Sequence, residues 1–298
     1  MLHTKKSTQV NGNERGIKMP NTPSPLRYPG GKAKLYSFVR SILVANGLIG
    51  ETYIEPFAGG AGLAIKLLLQ DDVKRIVLND YDYAIYTFWD YVLHHSHELI
   101  DYLSNVQITI DEWEKQRRVY LNQSDYSAAD LAKAVLFLNR TNISGVITGG
   151  VIGGKEQTGK YKLDVRFNRD DLARKIQSIA QRANRVDLYN LDAQDFLANN
   201  LRHYYKVLIN FDPPYVEKGG QLYKNSFTLE GHRALRDSIA KCKRRWIVTY
   251  DMCEEVAALY GAFRGGTIDT YYSAKDVRRA QEYVFYSNNL ILPDAIQK

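Results

Sequence analysis

The run Val207-Leu208-Ile209-Asn210-Phe211, followed by Asp212-Pro213-Pro214-Tyr215, constrains the fold of this chain more than any other segment. The apolar stretch reads as a buried strand that ends at the acid. Two prolines stop it, because neither can donate a ladder hydrogen bond. Asp212 is therefore expected at a strand's carboxyl end, where open α/β sheets place their ligands. A stiff turn then presents an aromatic ring beside a carboxylate and free backbone carbonyls. That set suits a flat ring carrying an amino group. Asp212 and a backbone carbonyl can accept the amino hydrogens, and Tyr215 can stack on the ring face. The plainer reading is a strand-ending turn with a packed tyrosine, and the remaining chain has to decide between the two.

At 298 residues the chain can form one large α/β domain, or one domain with a sizeable insertion. No apolar run approaches the length needed to span a membrane. Residues 1–20 are polar, lack the apolar core of a signal peptide and read as a flexible tail. Cys242 and Cys253 belong to no Cys/His cluster with ligand spacing. Reduced thiols, a cytoplasmic location and no metal site are the expectation. The formal net charge is +7. Clustered basic charge favours polyanions, since neutralising phosphates releases counterions.

Three segments ahead of the central strand carry chemistry. The turn Arg27-Tyr28-Pro29-Gly30-Gly31-Lys32 lets backbone approach a ligand closely and opens a helix. In Thr52-Tyr53-Ile54-Glu55-Pro56-Phe57-Ala58-Gly59-Gly60-Ala61-Gly62 a short strand ends at Glu55, a glycine loop follows, and an apolar helix begins. Strand, glycine loop and helix make a nucleotide-type binding turn. The dinucleotide pattern Gly-x-Gly-x-x-Gly is absent, as is the Gly-Lys-Ser/Thr ending of a phosphate loop. With Glu55 in the loop and no lysine, a polyphosphate fits poorly. A cofactor with a cationic or hydroxyl-bearing end fits better. The next strand, Arg75-Ile76-Val77-Leu78-Asn79-Asp80, ends in an acid 25 residues after Glu55. Such an acid can take the hydroxyls of a ribose. It can also serve as a helix N-cap.

From about residue 83 to 180 the strand–helix rhythm breaks. Helical patterns cover 83–102 and 128–138, with a mixed charged stretch at 111–118. The chain then turns glycine-rich and basic, with eight Lys/Arg against four Asp/Glu between Arg140 and Lys175. Two short strands joined by a glycine-rich tip are expected there, forming a ribbon that fits a DNA groove. Its candidate DNA contacts are Arg140, Asn142, Ser144, Lys155, Lys160, Lys162, Arg166, Asn168 and Arg169. The rhythm resumes with a helix at 170–182, a strand at 186–191, the Asp212 strand, a helix at 228–240 and a strand at 246–251. An antiparallel pair at 268–272 and 282–286 closes the pattern.

In this order the pieces resemble the Dam-like (D12-class) family of S-adenosylmethionine-dependent DNA adenine-N6 methyltransferases, over nearly all of residues 25–290. The resemblance implies an α/β fold: a Rossmann-like class I methyltransferase sheet, mostly parallel with one antiparallel strand, carrying an inserted helical and β-ribbon target-recognition region. The implied division is a catalytic domain of residues 21–85 and 176–298 with a DNA target-recognition insert at 86–175. It implies S-adenosyl-L-methionine as cofactor, held by Tyr28, Gly31 and Lys32, by Glu55, Pro56, Phe57 and Gly59, by Asp80, by Asp195 and Phe196, and by Asp212. Asp192 competes with Asp195 for the cofactor's adenine, and Asp195 is preferred because Phe196 follows it. Asp212, Pro213, Pro214 and Tyr215 are the implied catalytic motif. The implied activity is site-specific methyl transfer to N6 of an adenine flipped out of duplex DNA. An RNA adenine or DNA cytosine-N4 enzyme, or an inactive DNA-binding homologue, are the alternatives on the same fold. Double-stranded DNA is the implied partner, with a cognate restriction endonuclease as a candidate companion.

Overall fold

The structure is a computed structural model that describes residues 22–27, 35–216, 227–273 and 277–293. It opens with α1 (Tyr36–Ala45), β1 (Thr52–Glu55), α2 (Gly62–Leu69) and β2 (Arg75–Asn79). Five helices follow: α3 (Tyr83–His94), α4 (Ser96–Asn105), α5 (Ile110–Leu121), α6 (Ala128–Thr141) and α7 (Arg169–Ala180). Next come β3 (Val186–Tyr189), the one-turn α8 (Ala193–Asp195) running into a π turn (Phe196–Asn200), and β4 (Val207–Phe211). The chain closes with α9 (Leu229–Lys241), β5 (Arg245–Asp251), α10 (Glu254–Tyr260), β6 (Arg264–Ser273) and β7 (Val277–Tyr286).

The seven strands form one sheet in the order β3-β2-β1-β4-β5-β7-β6. Strands β1 to β5 pair in parallel, and β7 runs antiparallel between β5 and β6. Alternate side chains enter opposite faces, as the two-residue period of a strand requires. Tyr53, Ile76, Leu78, Leu208 and Ile247 join a core with α1–α7. Ile54, Val77, Ile209, Phe211 and Val248 join a second core with α8–α10. Helices on both faces explain why β4 is buried at every residue and apolar at all but Asn210.

Strands β1 and β4 are neighbours, yet their following helices pack on opposite faces. The sheet reverses its winding there, and open α/β sheets bind ligands beyond the carboxyl ends of the strands at such a point. Glu55 ends β1, and Asp212 directly follows β4.

Three expectations change in the middle of the chain. The stretch 111–118 is the regular helix α5, whose N-cap Thr109 accepts from the Glu112 amide. Its Thr-x-x-Glu start is a capping-box pattern visible in the sequence. The helical pattern 83–102 is two helices broken at His95. The ribbon does not form: among the described residues, 146–168 holds turns and a single antiparallel bridge between Asn142 and Val151. Gly153 and Gly154 take φ of +87° and +77°, which no strand can use. Side-chain amides take the backbone partners that a ladder would need. Asn142 donates to the Val146 and Ile147 carbonyls, and Gln157 to those of Ile152 and Gly154. Helices α4–α6 share the first core with the sheet, through Leu99, Leu103, Trp113, Leu131 and Leu138.

Candidate active site

Two carboxylates stand at the carboxyl ends of neighbouring strands where the sheet reverses its winding. Glu55 is 5% exposed and accepts from the Tyr53 hydroxyl at 3.2 Å. Burial pushes its pKa up to about 8; the Tyr53 bond opposes the shift, and the nearby Asp212 charge adds to it. Among the described residues no cation is paired with it. Asp212 accepts from the Thr249 hydroxyl of β5 at 3.1 Å. Pro213 is buried and Pro214 half-buried behind it. The Tyr215 ring is 6% exposed, and its hydroxyl donates to Glu282 of β7 at 2.8 Å. The turn after β4 is thus fastened to both β5 and β7.

The glycine loop is wound tightly against the end of β2. The Ala58 amide donates to the Asn79 carbonyl. The Gly59 amide donates to Asp80 Oδ2 at 2.7 Å, and the Asp82 amide to Asp80 Oδ1 at 2.9 Å. Gly59 has φ +45°, and its carbonyl accepts from the Trp89 indole at 2.8 Å. Burial raises the Asp80 carboxyl to about 7 despite the two amide bonds that hold it down. Helix α3 is capped by Asp82 rather than Asp80, with the Ala84 amide 2.9 Å away. Asp80 is therefore the brace of the glycine loop.

Asn79 is fully buried and joins two loops. Its amide nitrogen donates to the carbonyls of Pro56 and Leu191, each at 3.0 Å, and its oxygen accepts from the Leu191 amide at 3.1 Å. An asparagine inside Ile76-Val77-Leu78-Asn79 is the signal that could have revealed this role. Thr249 and Glu282 gave no such signal, because their partners lie in distant segments.

After β3, Asp192 caps α8 through the Gln194 amide at 2.8 Å, and Asp195 is exposed on that helix. Phe196 is fully buried in the second core, its ring 5.4 Å from that of Tyr189. Pro56 is buried, and half-buried Phe57 meets Phe227 edge-on at 5.9 Å. Tyr28, Gly31 and Lys32 lie outside the described residues. So do the tail 1–20 and residues 274–276 between β6 and β7.

Two of the expected DNA contacts are internal, a correction to the sequence reading. Arg140 is buried on α6 and donates to the carbonyls of Arg166 and Pro25. Asn142 is fully buried, accepts from the Trp113 indole at 2.6 Å and pins the turn after it. Their spacing follows from packing a helix end against a turn. Ser144 is half-buried at φ +58°. Lys155, Lys160, Lys162, Arg166 and Asn168 are exposed. Lys155 pairs with Glu114, Lys162 donates to the Gln157 carbonyl, and Asn168 caps α7. Arg169 donates to the carbonyls of Leu103 and Val106 at the end of α4.

A mostly parallel, doubly covered sheet with acids at the ends of its first, second and fourth strands is a Rossmann-like fold with its site at the strand ends. The chain belongs to the D12 class of N6 adenine-specific DNA methyltransferases, whose family model matches residues 28–274. It is 25% identical over 211 residues to the type II methyltransferase M.MjaIII of Methanocaldococcus jannaschii, covering 64% of this chain and 68% of that protein. Among solved structures it is similar to the rRNA methyltransferase aviRa of Streptomyces viridochromogenes, at 12% identity and a TM-score of 0.41 over 87% of this chain and 86% of that one.

Proposed function

We propose that Asp212 holds the exocyclic amine of a flipped-out adenine while Glu55 and Asp80 anchor S-adenosyl-L-methionine at the reversal of the sheet. The observation that carries this reading is the placement of Glu55 and Asp212 at the carboxyl ends of the adjacent strands β1 and β4. A buried carboxylate with no paired cation among the described residues suits the charged end of such a cofactor. Asp80 offers its remaining lone pairs to ribose hydroxyls, and the adenine acid is Asp195 or, at the end of β3, Asp192. Lys32, Tyr28 and Gly31 complete the cradle in this reading.

The bound cofactor supplies an electrophilic methyl on a sulfonium. Adenine N6 is a poor nucleophile, because its lone pair is delocalised into the ring. The two N6–H groups donate hydrogen bonds to Asp212 and the Pro213 carbonyl, so the nitrogen gains sp³ character and its lone pair is aimed. Positive charge grows on N6, the adjacent carboxylate, already oriented by Thr249, stabilises it, and the proton that N6 loses on methylation leaves to that carboxylate or to water. Fixed in-line placement removes most of the entropic barrier. Flipping the base costs a few kcal/mol. Stacking on Tyr215 recovers about 1–3 kcal/mol. Residues 86–175 form the DNA-facing insert on residues 21–85 and 176–298, with Ser144, Lys155, Lys160, Lys162, Arg166, Asn168 and Arg169 as contacts. The type II relative makes a cognate restriction endonuclease the companion to seek.

The test is transfer of labelled methyl to DNA and RNA, followed by nucleoside analysis. N6-methyladenine from DNA is expected from the native chain and none from Asp212→Ala, which keeps its affinity for duplex DNA. Unchanged turnover in that variant rejects the role of Asp212.

A further inference from the structure

Asn210 interrupts the apolar run of β4 and is 2% exposed. The register Tyr53↔Leu208 and Ile54↔Ile209 sets it abreast of Glu55. Tyr53 and Leu208 share the first core, so by strand alternation Tyr53, Glu55 and Asn210 project from one face of the sheet. We propose that the Asn210 side-chain carbonyl is the second acceptor, beside Glu55, for the α-ammonium of S-adenosyl-L-methionine, with Tyr53 as the positioning residue that orients the Asn210 amide. The proposal rests on the reading that Glu55 anchors that cofactor.

Hydrogen-bond polarity fixes which way the amide turns. Tyr53 is fully buried and gives its only proton to Glu55 Oε1. Its oxygen can then only accept, and the Asn210 side chain acts on it as the donor. The amide nitrogen is committed to Tyr53, which leaves Oδ1 for a different partner. Oδ1 is buried, and among the described residues no donor reaches it. An orphaned acceptor in a buried strand is costly and rare, so it points to a donor that arrives with a ligand.

The chemistry of the pair selects that donor. An ionised Glu55 and the Asn210 carbonyl both accept only, and they stand on adjacent strands. A hydroxyl has one proton to give. An ammonium has three N–H groups spread tetrahedrally and can serve both acceptors at once. Its charge also matches the buried carboxylate. The residue type fits the task. An aspartate at this position would set a second negative charge beside Glu55 and make its ionisation harder. A leucine would leave one N–H of the ammonium without a partner. An amide that merely propped Tyr53 would affect every ligand of the cradle alike, and that difference can be measured.

The experiment is calorimetry of the full chain with two ligands. One is S-adenosylhomocysteine, which keeps the α-ammonium and lacks the sulfonium charge. The other is its desamino analogue, in which hydrogen replaces that ammonium. Asn210→Leu is expected to weaken S-adenosylhomocysteine about tenfold and to leave the analogue within about twofold of native. Tyr53→Phe, a smaller change that leaves Asn210 in place, should narrow the same preference by about threefold or more. Glu55→Gln tests the anchoring reading alone and should also weaken S-adenosylhomocysteine selectively, by about tenfold or more. Melting temperature verifies that each variant is folded. If Glu55→Gln is selective while Asn210→Leu and Tyr53→Phe weaken both ligands equally, or neither, Asn210 is a packing residue and the proposal is overturned. If Glu55→Gln also treats the two ligands alike, the anchoring role of Glu55 falls, and this proposal with it.

Discussion

Glu55 shows how a single buried carboxyl links proton and stability and, in the proposed site, cofactor binding. Its folded pKa of about 8 lies well above the ordinary 4.5. Between those values the unfolded chain has released the proton while the folded chain keeps it, so stability falls as pH rises through the window. Glu55→Gln removes that loss. Chemical denaturation should find the variant more stable than the native chain by roughly 2–5 kcal/mol at pH 8, with the difference vanishing toward pH 4.5. In the proposed site, Glu55 pairs with a cationic cofactor in its ionised form. Calorimetry should therefore show its affinity falling by up to about tenfold per unit as pH drops below 8. Tyr215→Phe removes the hydroxyl bond to Glu282 and keeps the ring, so much activity should survive, whereas Tyr215→Ala should lose it. Equal turnover in the two would remove stacking from the account. Asp212, Glu55 and Asp80 were legible in the sequence because each ends an apolar run. Thr249 and Glu282 were not, because a hydroxyl on β5 and an acid on β7 reach the turn after β4 only through the sheet order.

The strands were easy to read and the insert was not, and one cause explains both. Strands β1, β2, β4 and β5 are short, mostly apolar runs stopped by Pro or Asp, so pattern and punctuation agree. The segment after α6 has alternation and glycines too, and it read as a hairpin. What settles its form is the amide of Asn142, which takes the Trp113 indole and two carbonyls at once. A side chain reaching 29 positions back along the chain leaves no local periodicity. Asn142→Ala strands a buried indole N–H and two carbonyls. It should cost about 2–4 kcal/mol of stability in denaturant titration. A loss below about 0.5 kcal/mol would mean that the turns hold themselves.

Across the whole molecule, the helices of the insert and one face of the sheet are parts of one apolar body. Leu99, Trp113 and Leu131 lie in the same cluster as Tyr53, Ile76 and Leu208. Thermal unfolding should then proceed as one cooperative transition, with amides of α4–α6 as protected from exchange as those of β1 and β2. A first transition that releases α4–α6 alone would contradict this. No helix among the described residues is long and apolar enough to cross a membrane.

Through three hydrogen bonds Asn79 ties the loop after β1 to the loop before α8. If the proposed cofactor lies along the strand ends, it meets two loops whose separation the protein sets from within, so Asn79→Ala should loosen the grip on that cofactor at both ends at once.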